Sequence, residues 1–189
     1  MELYNLLSEN KSAIVSQWFD AIVETYPPDT THFLKGQQNP FHNPVGAVIY
    51  QGMESLFEEL LRGAWSENIS LHLDDIVRIR AIQDFTPSQA VGFIFHLKKI
   101  IRETFKNEIS EHRLSDELQA FECKIDKISL LAFDNYMKCR EKIYQLKVNE
   151  LQSWTFRRLQ KADEVYKQEC AYKDIHNETI EFERKEVSK

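Results

Sequence analysis

A chain of 189 residues, 42% hydrophobic and 29% charged, is long enough for one domain of ordinary size with an appendage, and a domain near that length buries about 70% of its unfolded surface. The net charge of −6 argues against a phosphate-backbone binder, which needs clustered Lys and Arg to release counterions, so nucleic acid is not expected as a partner. No apolar run approaches the roughly 20 residues that span a bilayer, and the acidic start MELYNLLSEN is unlike a basic secretory leader; the expectation is a cytoplasmic protein with no membrane insertion.

In chain order, Ile14, Val15, Trp18, Phe19, Ile22, Val23 and Tyr26 recur at steps of three and four, which puts them on one stripe of a helix. Tyr26-Pro27-Pro28 stops it, because proline restricts its predecessor and removes donors. Asn43 as cap and Pro44 at the first helical position open a second helix with Val45, Val48, Ile49, Met53, Leu56, Phe57, Leu60 and Leu61, closed by Gly63. Ser70 is placed to cap a third helix, carrying Leu73, Ile76, Val77 and Ile79 and ending near Phe85. Thr86-Pro87 repeats the cap-then-proline signature, with Gln89 at capping-box spacing. The helix it opens is apolar nearly all round from Val91 to Leu97, the expectation being that it is the most buried.

Every glycine and proline lies at or before Gly92, so residues 93–189 contain no strong helix breaker. Residues 1–110 carry 9 basic and 14 acidic groups, and the remainder 15 and 16, interspersed as on a long solvated helix. From Leu114 the apolar positions Leu118, Phe121, Ile125, Ile128 and Ala132 follow at steps of three and four. A second stripe of Leu130, Leu131, Phe133 and Met137 widens the apolar face, as expected if this portion packs on the bundle. Beyond Glu141 the seam narrows to Ile143, Tyr144, Val148, Leu151, Leu159, Ala162, Val165 and Tyr166, and after Cys170 it fades, so that the end is expected to fray. A narrow seam on an isolated helix is marginal in water and predicts a coiled coil with a second copy of the chain through Tyr144, Val148, Leu151, Leu159 and Ala162.

No segment alternates with period two, so the fold class is all-α: a helical bundle over 1–140 and a projecting coiled-coil helix over 141–189 with a frayed end.

Cys123, Cys139 and Cys170 are odd in number and form no CxxC pair, which indicates neither a disulfide framework nor a zinc knuckle. His32, His42, His72 and His96 make no i, i+4 ligand pair, and His96 in the apolar VGFIFHLKK reads as packed or at a boundary in preference to a haem ligand. Asp74 with Arg78 and Arg80 with Asp84 have the i, i+4 spacing of surface helix pairs. GxSxG, P-loop and GxGxxG motifs are absent. No enzyme, metal or cofactor is expected.

The segment YPPDTTHFLKGQQNPFHNPVG, residues 26–46, holds four of the five prolines and admits two readings. It is a rigid corner in which Phe33, Leu34 and Phe41 plug the core, or the preorganised rim of a small-molecule or partner site.

The phrases WFDAIVETYPPDTTHFLKGQQNPFHNPVG, IVRIRAIQDFTPSQAVGFIFHLKK and LAFDNYMKCREKIYQLKVNE resemble the RsbT co-antagonist RsbRD N-terminal domain family over about residues 5–150. The resemblance implies an all-helical sensory or regulatory module, and related stressosome sensor domains imply a globin-like bundle without haem by analogy. It brings no catalytic residues, and no STAS or kinase region follows, so output is expected through a protein partner or through dimerisation. The motif positions it marks are Tyr26, Pro27, Asn43, Pro44 and Gly46, then Arg78, Arg80, Asp84 and Phe85. Asn43 is expected to cap, Gly46 to permit close helix approach, and the arginines to gather an anionic ligand or the acidic end of a helix. With His32 and Phe41, the candidate ligand or partner pocket is Tyr26, His32, Phe41, Asn43, Arg78 and Arg80. The functional expectation is a cytoplasmic, non-enzymatic sensory and regulatory module acting through dimerisation and protein contacts. The alternatives are a structural adaptor that docks a larger, redox-linked assembly without ligand, and a haem or metal sensor.

Overall fold

A computed structural model describes residues 2–36, 42–63 and 68–187, with side chains described as far as residue 168. Among the described residues there are eight helices and no strand: α1 Glu2–Glu9, α2 Lys11–Val23, α3 Pro28–Gly36, α4 Pro44–Arg62, α5 Asn68–Ile82, α6 Pro87–Thr104, α7 Lys106–Glu111 and α8 Ser115–Val187. The chain divides into two compact units, Met1–Glu141 and Lys142–Lys189.

In the first unit the stripe of α2 is buried as its spacing requires. Ile14, Val15, Trp18, Ile22 and Val23 are all at most 1% exposed, with Trp18 stacked on Phe93 of α6 at 5.9 Å and its indole N–H donating to the Phe93 carbonyl at 2.7 Å. The opposite wall is α4 on α5. Their axes come close at Gly52, where a Cβ would lie 3.0 Å from the Ile76 side chain. The buried face of α8, Leu118, Phe121, Ile125, Ile128, Ala132 and Tyr136, closes the core. Phe121 meets Tyr4 and Phe57 edge-on at 5.8 and 6.5 Å.

The capping signals act as read. The Asn43 side chain accepts from the Gly46 N–H at 2.8 Å with Pro44 at the first position, and α4 ends on Gly63 in the left-handed region, φ 73°. Thr86 and Gln89 form the reciprocal capping box of α6.

Several expectations are corrected. The first apolar stripe is preceded by a separate helix, α1, whose Leu3 and Leu7 are fully buried. The proline-rich segment contains α3 in place of an irregular corner; Leu34 is buried at 5% but Phe33 is 48% exposed, while Pro40 and Phe41 lie outside the described residues. Helix α5 starts at Asn68, ahead of Ser70. Gly46 serves the cap and not a helix crossing: a Cβ there would fall 2.3 Å from the Asn43 amide nitrogen. Helix α6 is not buried all round, since Phe95 is 48% exposed and His96 is exposed.

The second apolar stripe of α8 is the largest departure. Leu130 is 69%, Phe133 45% and Met137 39% exposed, so the residues assigned to bundle packing face solvent, and only Leu131 is half-buried. Past Glu141, Tyr144, Val148, Leu151, Leu159 and Val165 are 45–64% exposed. The backbone stays helical beyond Cys170 to Val187, through the stretch in which the apolar repeat fades.

Candidate functional site

Of the six candidate pocket residues, two come together. Arg80 projects from the last turns of α5 into the core, where its residue is 0% exposed. Its guanidinium carbon lies 4.0 Å from the Phe85 ring centroid and 5.3 Å from that of Tyr26, while Tyr26 and Phe85 meet edge-on at 5.1 Å. Nη2 donates to the Thr25 hydroxyl and to the Gln89 carbonyl, each at 2.9 Å. Nε and Nη1 are buried and make no hydrogen bond, which leaves the ring faces as the neighbours of a cation whose stacking on aromatics is a favourable electrostatic contact. Burial lowers the Arg80 pKa from the ordinary arginine range and raises that of Tyr26, the charge of each neighbour opposing the change. The spacing that paired Arg80 with Asp84 is overruled: Arg80 turns inward, and Asp84 pairs with Arg140 of α8 at 2.7 Å.

The α5–α6 corner that carries Phe85 is clamped from α8 as well. Tyr136 donates its hydroxyl proton to the Phe85 carbonyl at 2.5 Å. Arg140 caps the end of α5 through the Ala81 carbonyl at 3.0 Å. Asp84 holds φ 59°, a conformation that Asp tolerates better than most residues. The corner thus joins Tyr26 of the segment after α2, Arg80 of α5, Gln89 of α6 and Tyr136 and Arg140 of α8. Sequence reasoning marked Tyr26, Arg80 and Phe85 but missed Gln83, whose side chain accepts the Tyr26 hydroxyl proton at 3.0 Å, and the two α8 residues. Their partners are 51–59 positions away, and no local spacing signals them.

Asn43 sits elsewhere. Besides capping α4 it donates to the Leu34 carbonyl at 3.0 Å, and it borders a cavity of about 470 Å³ between α2, α3 and α4 whose walls include Phe19, Asp20, Lys35 and Tyr50. Phe19 and Tyr50 meet edge-on at 5.4 Å. Lys35 bridges Asp20 and Glu24 at 3.1 and 3.4 Å, and its bond to Asp20 holds it above the ordinary lysine range. The volume falls within the range of small-molecule sites. His32 is exposed, Arg78 is exposed and ion-paired with Asp74, and Phe41 lies outside the described residues. Among the described residues no three His, Cys, Asp or Glu side chains converge as metal ligands, and no helix is long and apolar enough to cross a membrane.

The coiled-coil residues Tyr144, Val148, Leu151, Leu159 and Ala162 are all exposed on α8. At about 100° per residue they share a stripe with Val165 and Tyr166, which Arg158, stacked over Trp154 at 4.3 Å, interrupts. Leu146 and Phe156, both 61% exposed, lie about 160° and about 120° around the helix from the centre of this stripe.

The sequence model of the RsbT co-antagonist protein rsbRD N-terminal domain matches residues 12–151. An uncharacterized protein of Archaeoglobus fulgidus is 28% identical over 142 residues, covering 75% of this chain and 84% of the relative. No solved structure gives a significant match.

Proposed function

Because the chain belongs to the RsbT co-antagonist protein rsbRD N-terminal domain family, whose members are regulatory signalling domains, we propose that it is a non-enzymatic cytoplasmic sensor-regulator that works as a homodimer paired along α8. The observation that carries this reading is the exposure of large apolar residues past Glu141: Val148 at 45%, Leu151 at 63% and Leu159 at 64%. A lone solvated helix is marginal, and monomers rarely leave such a stripe uncovered. A second helix with the same stripe supplies the missing packing.

The off-stripe residues Leu146 and Phe156 support a further protein partner for output. The Arg80 corner supports the sensing half of the reading: it ties the segment after α2 to α8 through Phe85, so a signal that moved the corner would act on α8. Static light scattering on the full chain at micromolar concentration tests the proposal. A mass near twice 22.4 kDa is expected. A monomer at every concentration, with residues past Glu141 cut readily by protease, contradicts it.

A further inference from the structure

The cavity beside Asn43 owes its space to small side chains. The cap keeps position 46 a glycine, since a Cβ there would fall 2.3 Å from the Asn43 amide nitrogen. Ala47 beside it and Ser16 across on α2 leave the rest of the gap unfilled. Leu34 of α3, 5% exposed, supplies an apolar wall. Phe19 and Tyr50 line the cavity and meet edge-on at 5.4 Å, an arrangement that leaves ring faces uncovered by the pairing. The hydroxyls of Ser16 and Tyr50 and the amide oxygen of Gln51 add hydrogen-bond acceptors to the walls.

The charge around it is one-sided. Residues 11–62, which build all three walls, carry six carboxylates against two lysines and one arginine. Lys35 lies between Asp20 and Glu24 at 3.1 and 3.4 Å, and Lys11 between Glu54 and Glu58 at 2.8 and 2.5 Å. Arg62 lies between Glu58 and Glu59 at 3.5 and 3.0 Å. Each basic side chain of the stretch is thereby shared between two carboxylates. Of the charged residues only Asp20 and Lys35 line the cavity.

We propose that this cavity binds an organic monocation, an ammonium joined to an apolar body, with the ammonium against Asp20 and the aromatic faces and the body against Phe19, Leu34 and Ala47. An anion would have to take Lys35 from Asp20 and Glu24 and leave both carboxylates facing it, a like-charge juxtaposition that costs affinity. An ammonium meets a carboxylate that shares its lysine, and ring faces that attract cations. The volume of about 470 Å³ suits an organic molecule. An inorganic ion is disfavoured by the donor set, since among the described residues no three His, Cys, Asp or Glu side chains converge. The inference rests on the sensor-regulator reading for its role, and gives that reading a ligand class at a site apart from the Arg80 corner.

The test is calorimetric titration of the full chain with 2-phenylethylamine and with its neutral and anionic counterparts, 2-phenylethanol and 3-phenylpropionate. It is run above the ordinary histidine value of about 6.5, with the site mapped by amide chemical-shift changes. The expected result is one amine per chain, bound at least about tenfold tighter than either counterpart, with shifts over residues 16–20 and 46–51. Asp20→Asn should weaken the amine roughly fivefold, as loss of a half-exposed charge does. Ala47→Leu, which fills the cavity and leaves its charges in place, should abolish binding. The inference is overturned by no amine binding at millimolar concentration, by amine binding no tighter than that of the alcohol or carboxylate, by shifts elsewhere, or by binding that both substitutions leave intact. The three probes are compared on the native chain, so they decide the question even where a substitution disturbs folding. A chain that binds no amine yet sediments as a dimer loses this inference and keeps the homodimer reading; a monomer that binds the amine does the reverse.

Discussion

The guanidinium carbon of Arg80 lies over the Phe85 ring, 4.0 Å from its centroid, and the side chain is fully buried, with two of its three nitrogens making no hydrogen bond. Among the described residues no carboxylate forms an ion pair with it, and the cation is held by the aromatic rings and by the Thr25 and Gln89 oxygens. Arg80→Lys should therefore cost about 1–3 kcal/mol, since a compact ammonium neither stacks as a plane nor reaches both oxygens. Arg80→Met should cost less than Arg80→Lys, because it keeps the packing and leaves no buried charge. Urea denaturation measures both; a lysine variant equal to wild type would contradict the stacking account.

The clamp from α8 onto the same corner has its own signature. Tyr136→Phe removes one hydroxyl from the Phe85 carbonyl and should cost about 1 kcal/mol. Asp84→Asn keeps a residue that tolerates positive φ while removing the ion pair with Arg140. It should cost under about 1 kcal/mol, as solvent-facing pairs do. A loss for Asp84→Asn larger than for Tyr136→Phe would mean that the ion pair, and not the phenol, holds the corner.

The core of the first unit predicts a larger effect. Trp18→Ala removes the largest fully buried side chain among the described residues and its bond to the Phe93 carbonyl, at a cost on the order of 3–5 kcal/mol. Trp18→Phe keeps much of the volume and should cost roughly half as much. Thermal melting followed by ellipticity separates the two.

These elements also show how far the sequence speaks for itself. Caps were legible because Asn43-Pro44 and Thr86-Pro87 with Gln89 are local devices whose chemistry is complete within four residues. The buried stripes of α2 and α4 were legible because burial there follows helical period. Arg80 was not: its i, i+4 spacing to Asp84 described a surface pair, and only the packing of α2, α6 and α8 turns it inward. Leu130, Phe133 and Met137 misled for the opposite reason. An apolar stripe states that a face avoids water and does not state which surface covers it. The cavity beside Asn43 depends on Asp20, Lys35 and Tyr50 from three helices, which share no motif.

Acid should loosen the N-terminal helices first. Glu58 is held below the usual carboxylate range by its bond from Lys11, and Glu117 by the Leu3 backbone N–H at 3.0 Å. A carboxylate whose folded pKa is depressed contributes stability above its unfolded value of about 4.3 and loses it as the pH falls through the folded value. Glu117→Gln should accordingly flatten the fall in melting temperature below about pH 4.3. An acid profile that overlays wild type would contradict this.

Hydrogen exchange over residues 142–168, measured at two concentrations of the full chain on either side of its dissociation constant, tests the central claim most directly. The account predicts slow exchange in the concentrated sample and fast exchange on dilution, because the helix past Glu141 depends on a second copy. Protection that is the same at both concentrations, or absent from both, would contradict it.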